Sequence, residues 1–477
     1  MKANRTIACW LMLLALATFN LQHSTAFGGL MFPIVTNDTA ATGFGAACAG
    51  TNYLVGIQGD YAGPGTDGGT TYYITAQLFG PTGTPVGGRI NPVPGHTGGN
   101  PFAASSGTNE LMAWPDDYSD GIHYFGGNIM AQLFSPSGAL VGSWFPITTN
   151  AEELGGIVYG AGKYLVTWND FSSGVWGIYG QIISASGSLI GGNFLICATP
   201  NGQRQQSIAT AFDGTNFLVT WVNVISLYAY NITDGAFVSP SGTVGTPFAI
   251  SQTGSMEQDL LSVVFNGTNY LVVWNYENPG LNIYDINGRF VTPAGTFPGN
   301  EFGIATNQSK SFPGLAFDGA NYLLAWNVNG GDTNANIECQ FLNASGQPMG
   351  PQFTPFAAQG SEVPLATLPL YDGKRFVLVT SLSADGFDPT NDAGVYGAFI
   401  PASTTPPQFC AGTCYSNKQC ALTLAGTPGI NYAIEMATNL VAASWTSIVT
   451  NSPTNGPFTF TDPCATNSSR FYRAVKQ

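Results

Sequence analysis

Phe265-Asn266-Gly267-Thr268-Asn269-Tyr270-Leu271-Val272-Val273-Trp274 recurs, with small changes, along most of this chain. Close copies are Phe212-Asp213-Gly214-Thr215-Asn216-Phe217-Leu218-Val219-Thr220-Trp221 and Phe317-Asp318-Gly319-Ala320-Asn321-Tyr322-Leu323-Leu324-Ala325-Trp326. Each copy reads as a strand end, a tight turn and a second strand. The Asn-Gly or Asp-Gly supplies the positive φ that a two-residue hairpin wants, and the β-branched and aromatic run that follows suits a buried strand.

Working outward, the aromatic residue of the motif serves as a ruler. It falls at Tyr53, Tyr164, Phe217, Tyr270, Tyr322 and Phe376, with Glu110 holding the place in a degenerate second copy. The successive steps are 57, 54, 53, 53, 52 and 54 residues, which makes seven copies. A period of about 50 residues is the length of one four-stranded propeller blade. The third copy shows the four strands: Ile157–Tyr159, Lys163–Trp168, Gly177–Ile183 and Phe194–Ile196. A Ser-x-Ser-Gly turn joins the last two, as at Ser184–Gly187, Ser135–Gly138 and Ser239–Gly242. A small residue recurs in the third strand at Ala76, Ala131, Gly180, Gly235, Gly288, Cys339 and Gly397, where neighbouring blades are expected to approach closely.

The two ends of the array fit each other. The seventh copy stops after its third strand, at Ile400, in a Pro/Thr-rich stretch. Its missing fourth strand stands at the other end of the chain, where Gly29–Asn37 matches Gly142–Asn150 of the second copy. A ring closed by the N-terminal strand leaves no long open sheet edge. The fold expected is therefore all-β, a closed seven-bladed β-propeller over residues 27–400. A linker over 401–407 and a small β-sandwich over 408–477 follow. In that last part Cys410, Cys414, Cys420 and Cys464 suggest two disulfides with three connectivities open. Zinc fits less well, because paired CxxC spacing and a nearby His are both missing. Cys48, Cys197 and Cys339 read as small buried side chains.

Residues 1–26 read as a secretion signal. Lys2 and Arg5 precede an apolar run, Ile7–Phe19, and Ser24-Thr25-Ala26 offers small residues at a cut site. The run is short for a membrane span, so no transmembrane anchor is expected after cleavage. The location expected is secreted or cell-surface, and the state expected is a monomer. The formal charge of −14 becomes −16 once Lys2 and Arg5 are removed. That sign argues against nucleic acid, which needs Lys and Arg to neutralise phosphate.

The repeat, with its Ile-Tyr-Gly-Gln (Ile178–Gln181) and Ser-x-Ser-Gly continuation, resembles secreted bacterial β-propeller repeat proteins. The C-terminal end, with Ser444-Trp445, Phe458–Asp462 and Arg470–Arg473, is similar to β-sandwich modules that end many exported proteins of Gram-negative bacteria. Both resemblances imply fold and export. Neither carries catalytic residues over.

Propeller topology predicts where a site would sit. The Asp-Gly and Ser-Gly turns would share one face, and the longer loops between second and third strands the other, with the inter-blade loops. The second face gathers Asp60, Tyr61, Asp116, Asp117, Tyr118, His123, Asp170, Trp176 and Tyr276 as candidate ligand-binding residues. Aromatic faces stack on sugar rings while Asp and Asn bond hydroxyls, so a glycan or a protein is the expected ligand. The same residue types also build ordinary solvated turns. A carbohydrate-active enzyme needs two carboxylates, for which Asp117, Asp170 and Glu277 are the candidates. The scarcity of His and the lack of a Gly-x-Ser-x-Gly elbow tilt the expectation toward a non-enzymatic binding or scaffold protein. A structural envelope role is a further alternative. No cofactor or metal is expected; calcium at Asp285–Gly288 or at Asp116, Asp117 and Asp120 is a weak candidate, as neither matches a calcium-loop pattern.

Overall fold

The structure, a computed structural model, describes residues 31–36, 43–60, 72–93, 98–119, 124–149, 151, 153–171, 174–198, 204–224, 231–252, 258–278, 283–306, 310–328, 336–356, 363–383, 394–402, 408–414, 419–425, 432–438, 444–451, 458–462 and 470–476. Among these residues the regular structure is β-strand throughout, with no helix.

Seven four-stranded antiparallel sheets occupy residues 31–401. Their first strands, sheets one to seven in order, are Gly43–Ala49, Phe102–Ser105, Glu153–Gly160, Arg204–Phe212, Gln258–Phe265, Lys310–Phe317 and Val363–Tyr371. In sheets one to six the chain visits the four strands in spatial order. In sheet seven the fourth place is taken by Met31–Thr36, antiparallel to Gly394–Pro401 with Phe32 opposite Gly397. The N-terminal strand thus completes the last sheet. Each first strand packs against the first strand of the next sheet, and Val363–Tyr371 packs against Gly43–Ala49. Sheets packed face to face around their first strands are the architecture of a β-propeller.

Apolar residues of successive sheets make the core. Leu271, Val273 and Ile286 of sheet five, for instance, pack with Tyr322, Leu324 and Trp326 of sheet six. The repeated tryptophans Trp114, Trp168, Trp221, Trp274 and Trp326 are all fully buried at matched positions of the second strands. They are packing residues, as their spacing implies.

Two local expectations need correction. The Asp-Gly motif is not a two-residue hairpin. Phe212 pairs with Phe217, so the connection has four residues. Asp213 N–H donates to Asn216 O, while the amides of Thr215 and Asn216 both donate to Asp213 Oδ1 at 2.7 Å. The aspartate side chain replaces the second backbone bond, which is why Asp or Asn stands first in the motif. Genuine two-residue turns occur where that residue is absent: Ala161-Gly162 has φ of 50° and 76° and lies between paired Gly160 and Lys163.

The second correction concerns the small third-strand residue. A Cβ on Gly180 would meet Phe194 at 2.9 Å, and one on Gly288 would meet Ile304 at 2.8 Å. Both partners belong to the same sheet's fourth strand, not to a neighbouring sheet. Contact between sheets is made instead at the Ser-Gly turns, where a Cβ on Gly187 would meet Leu133 of sheet two at 2.8 Å.

The fourth strand leans over the third because their ladder is bulged there. A buried glutamine follows the small residue and repairs the gap. Gln132 Nε2 donates to Val141 O at 3.1 Å, Gln181 Nε2 to Ile190 O at 3.1 Å, and Gln340 Nε2 to Met349 O at 2.9 Å. The side-chain amide satisfies a carbonyl that the bulge has left without a ladder donor. This gives the Gln of the Ile-Tyr-Gly-Gln motif a structural task. In sheet five Arg289 takes the same register position, opposite Val272, and reaches Gly299 O of its own sheet and Ile250 O of sheet four.

The C-terminal part forms two three-stranded antiparallel sheets. One holds Gln408–Cys414, Cys420–Ala425 and Phe458–Asp462; the other holds Thr446–Asn451, Tyr432–Ala437 and Phe471–Lys476. The backbone register sets Cys414 opposite Cys420. The side chains of these two residues and of Cys410, and the whole of Cys464, lie outside the described residues. The expected pairing is therefore left as the sequence leaves it. Cys48, Cys197 and Cys339 are free thiols.

Candidate functional site

Hydrogen bonds between sheets assign the turns to faces. Asn52 Nδ2, in the first-to-second turn of sheet one, donates to Pro136 O in the third-to-fourth turn of sheet two at 3.0 Å. Lys163 Nζ of sheet three repeats this with Pro240 O of sheet four at 2.9 Å, and Asn266 Nδ2 of sheet five with Ala344 O of sheet six at 3.2 Å. Arg375 of sheet seven reaches Pro81 O of sheet one in the same way. Both classes of tight turn therefore share one face. The second-to-third connections, which leave the opposite ends of the strands, emerge on the other.

On that second face, sheets three and four carry a linked set of polar and aromatic side chains. Asn169, fully buried, donates to Glu153 Oε2 at 3.3 Å and to Gln205 O at 2.8 Å. Glu153 forms an ion pair with Arg204 at 3.7 Å. The Arg204 guanidinium lies 5.5 Å from the centre of the Trp176 ring, and Trp176 packs against Phe171 with ring centres 5.0 Å apart. Deeper in, Gln205 Nε2 donates to Asn223 Oδ1, which also accepts from Trp221 Nε1 at 3.1 Å. Asn223 Nδ2 donates to Asp234. Burial pushes the Asp234 carboxyl up to about 6, against the pull of that bond.

The residues predicted from sequence distribute as follows. Asp116 is buried in the second strand of sheet two, opposite Asn128. Asp170 is buried at the end of the second strand of sheet three, opposite Gly177. Both have partners and neither is an exposed ligand group. Tyr276 is half-buried and packs against the core shared by sheets four and five. Glu277 is half-buried and sits opposite Tyr284. Asp60 ends the second strand of sheet one, opposite Tyr72. Its side chain and those of Asp117 and Tyr118 lie outside the described residues, as do Tyr61, Asp120 and His123 entirely. The structure brings Asp170 and Trp176 together in sheet three and leaves Asp116, Tyr276 and Glu277 on other sheets. The stretch Asp285–Gly288 is not a loop: it lies inside the strand Ile283–Val291, so it is no calcium loop. Among the described residues no group of three His, Cys, Asp or Glu side chains converges.

Glu153 and Arg204 were not among the sequence candidates. Each opens the first strand of its sheet, where the motif gives no cue, and their partnership with Trp176 depends on the packing of sheet four on sheet three.

No family model and no curated protein matches the chain. Solved structures with similar folds include the β-propeller domain of the trilobed protease from Pyrococcus furiosus, with 11% identity and a TM-score of 0.46 over 76% of this chain and 94% of that one. Hydrazine synthase from Kuenenia stuttgartiensis has 14% identity and a TM-score of 0.46 over 77% and 97%. The N11 neuraminidase-like protein of A/flat-faced bat/Peru/033/2010 has 10% identity and a TM-score of 0.42 over 79% and 95%.

Proposed function

We propose that the chain is an exported, non-enzymatic binding protein. Its signal spans residues 1–26, and its seven sheets are the blades of a closed ring over 27–400. A linker over 401–407 leads to an accessory β-sandwich over 408–477 that is stapled by disulfides. The ligand, a glycan or a protein, engages the face that carries the second-to-third loops.

The observation that carries this reading is the difference between the two faces. On the turn face the same bonds recur from sheet to sheet and tie the turns down. On the other face Phe171, about 40% exposed, and Trp176 pack together beside the Arg204–Glu153 ion pair. Individual apolar groups on a rigid scaffold are what a binding loop offers. An enzyme of the glycoside hydrolase type would need two accessible carboxylates facing each other across a sugar. Of the candidates Asp117, Asp170 and Glu277, Asp170 is buried, which speaks against its serving in that pair.

A glycan array probed with the full chain, with calcium and with a chelator, tests the reading. Reproducible binding that falls on Asp117→Ala or Trp176→Ala supports it. Turnover of the bound glycan would replace it with the hydrolase alternative, and a silent array would remove the glycan ligand and leave a protein partner.

A further inference from the structure

We infer that Phe171, Trp176, Arg204 and Glu153 form a shelf for the ring of a neutral saccharide. The inference rests on the loop face being a binding face and narrows it to one place and one ligand class.

The shelf is built rather than accidental. An exposed Arg–Glu pair normally wanders, because holding two long side chains in one geometry costs entropy. Here Glu153 is held from below by Asn169, a fully buried amide that also bonds Gln205 O across to sheet four. Glu153 in turn holds Arg204, and Arg204 lies over Trp176. Phe171 packs against the indole with ring centres 5.0 Å apart and planes tilted by 38°. These contacts restrict the side chains before any ligand arrives, and such restriction reduces the cost of binding. It remains accessible: the Arg204 and Glu153 side chains are 51% and 50% exposed, and Phe171 is 40% exposed.

The chemistry selects the ligand. The aromatic pair, with Phe171 the more exposed, offers an apolar surface on which the C–H face of a pyranose ring can pack. At its edge stand five N–H donors on Arg204 and two acceptor oxygens on Glu153. A sugar hydroxyl is donor and acceptor at once, so vicinal hydroxyls can use both partners of the pair. A uronate or sulfate would find Arg204 already neutralised by Glu153 and would meet the field of a protein with formal charge −14. A cationic ligand would meet Arg204. The neutral sugar is the ligand that needs neither charge removed.

The test is native affinity electrophoresis of the full chain. Gels contain β-1,3-glucan, xyloglucan or galactomannan as neutral probes, and polygalacturonate or alginate as acidic ones. Retardation is expected in at least one neutral gel and in neither acidic gel. Trp176→Ala and Phe171→Ala should each raise the dissociation constant at least tenfold while leaving the thermal midpoint within a few degrees. Glu153→Gln, by releasing Arg204, should make the chain bind polygalacturonate, a gain that a merely structural role would not give. Retardation by neutral glycan that both aromatic variants retain would overturn the shelf while leaving the loop-face reading standing. Retardation of the unmodified chain by acidic probes alone would overturn the ligand class. No retardation in any gel would overturn the shelf as a saccharide site.

Discussion

The joint between sheets seven and one and the joint between sheets one and two are built from the same repeat and turn out opposite. At an ordinary joint the motif tyrosine donates to the preceding sheet's turn, as Tyr164 does to Asn109 O and Tyr270 to Asn216 O, both at 3.0 Å. At the seven–one joint this bond is enlarged into a cluster. Tyr53 donates to Asp372, and Arg375 pairs with Asp372 at 3.4 Å. The Arg375 guanidinium also covers Phe399 at 3.4 Å and reaches Pro81 O. Phe32 of the N-terminal strand packs on Phe79 of sheet one and Phe399 of sheet seven. At the one–two joint the tyrosine is replaced by Glu110, which is 1% exposed and whose carboxyl oxygens find no donor in good geometry. The lesson concerns covalent continuity. Sheets one and two are joined by the chain itself, so their joint can carry a poor side chain. Sheets seven and one meet only through side chains and one borrowed strand, and there the bonds are concentrated.

The most severe way to break this comparison is to remove the borrowed strand. Deleting residues 1–36 takes the fourth strand from sheet seven and Phe32 from the cluster. It exposes the edge of Gly394–Pro401 and removes two aromatic contacts. The expected result is loss of soluble, cooperatively folding protein, read as soluble yield and as a lost urea transition. A deletion that unfolds at the same urea concentration as the full chain would show that the seam does not depend on the strand.

The two joints should also answer pH in opposite directions. Burial raises the Glu110 carboxyl to about 8, although the Ala49 and Leu54 amides lower it partway. The unfolded chain ionises this group near its ordinary value of 4.5, so the folded state holds the proton more tightly. Its contribution to stability is complete below pH 4.5 and is lost progressively as pH rises toward 8. That loss is on the order of 4 kcal/mol at about 1.4 kcal/mol per unit. Asp234, raised to about 6, adds a smaller loss of the same sign. Asp372 runs the other way. Burial alone would raise it, but Tyr53, the Arg375 and Lys374 amides and the Arg375 charge together hold it below its ordinary value. Its contribution is present above the unfolded value and disappears as pH falls through the folded one. Glu110→Gln should therefore flatten the decline of the thermal midpoint between pH 4.5 and 8 and leave the acid limb alone. An unchanged slope would mean that Glu110 ionises in the joint as readily as it does in the unfolded chain.

How much of this could be read in the sequence follows from what repeats. The period, the strand order and the completion of sheet seven by Met31–Thr36 were all legible, because each rests on a pattern stated several times over. The core role of the strand-two tryptophans was legible for the same reason. The Gln clip was visible as a motif but not as a function, because its purpose depends on a bulge that spacing alone does not reveal. The site was legible only in part. Asp170 and Trp176 stood out as Asp and Trp in a loop, and they lie at one end of sheet three, whereas Asp116 and Tyr276 lie on other sheets. Arg204 and Glu153 escaped notice because a contact between two sheets leaves no trace in either copy. Repetition encodes the scaffold, and a binding surface is what departs from repetition.

The smallest effect should come from an ordinary joint. Tyr164→Phe removes the hydroxyl that donates to Asn109 O and leaves the ring, which is fully buried against Tyr159. One neutral hydrogen bond is then lost, and the carbonyl beneath it is left to whatever donor can reach the turn. A cost of about 1 kcal/mol is expected, measured by urea denaturation at neutral pH. Tyr53→Phe at the seam should cost more, because its hydroxyl donates to a carboxylate and bonds to charged groups are worth roughly twice as much. Asp372 would also lose one of the groups that keep it ionised, so the penalty of Tyr53→Phe should change with pH between 3 and 7 while that of Tyr164→Phe stays level. If the two tyrosines cost the same at every pH, the seam is an ordinary joint and the concentration of bonds around Arg375 contributes nothing to closing it.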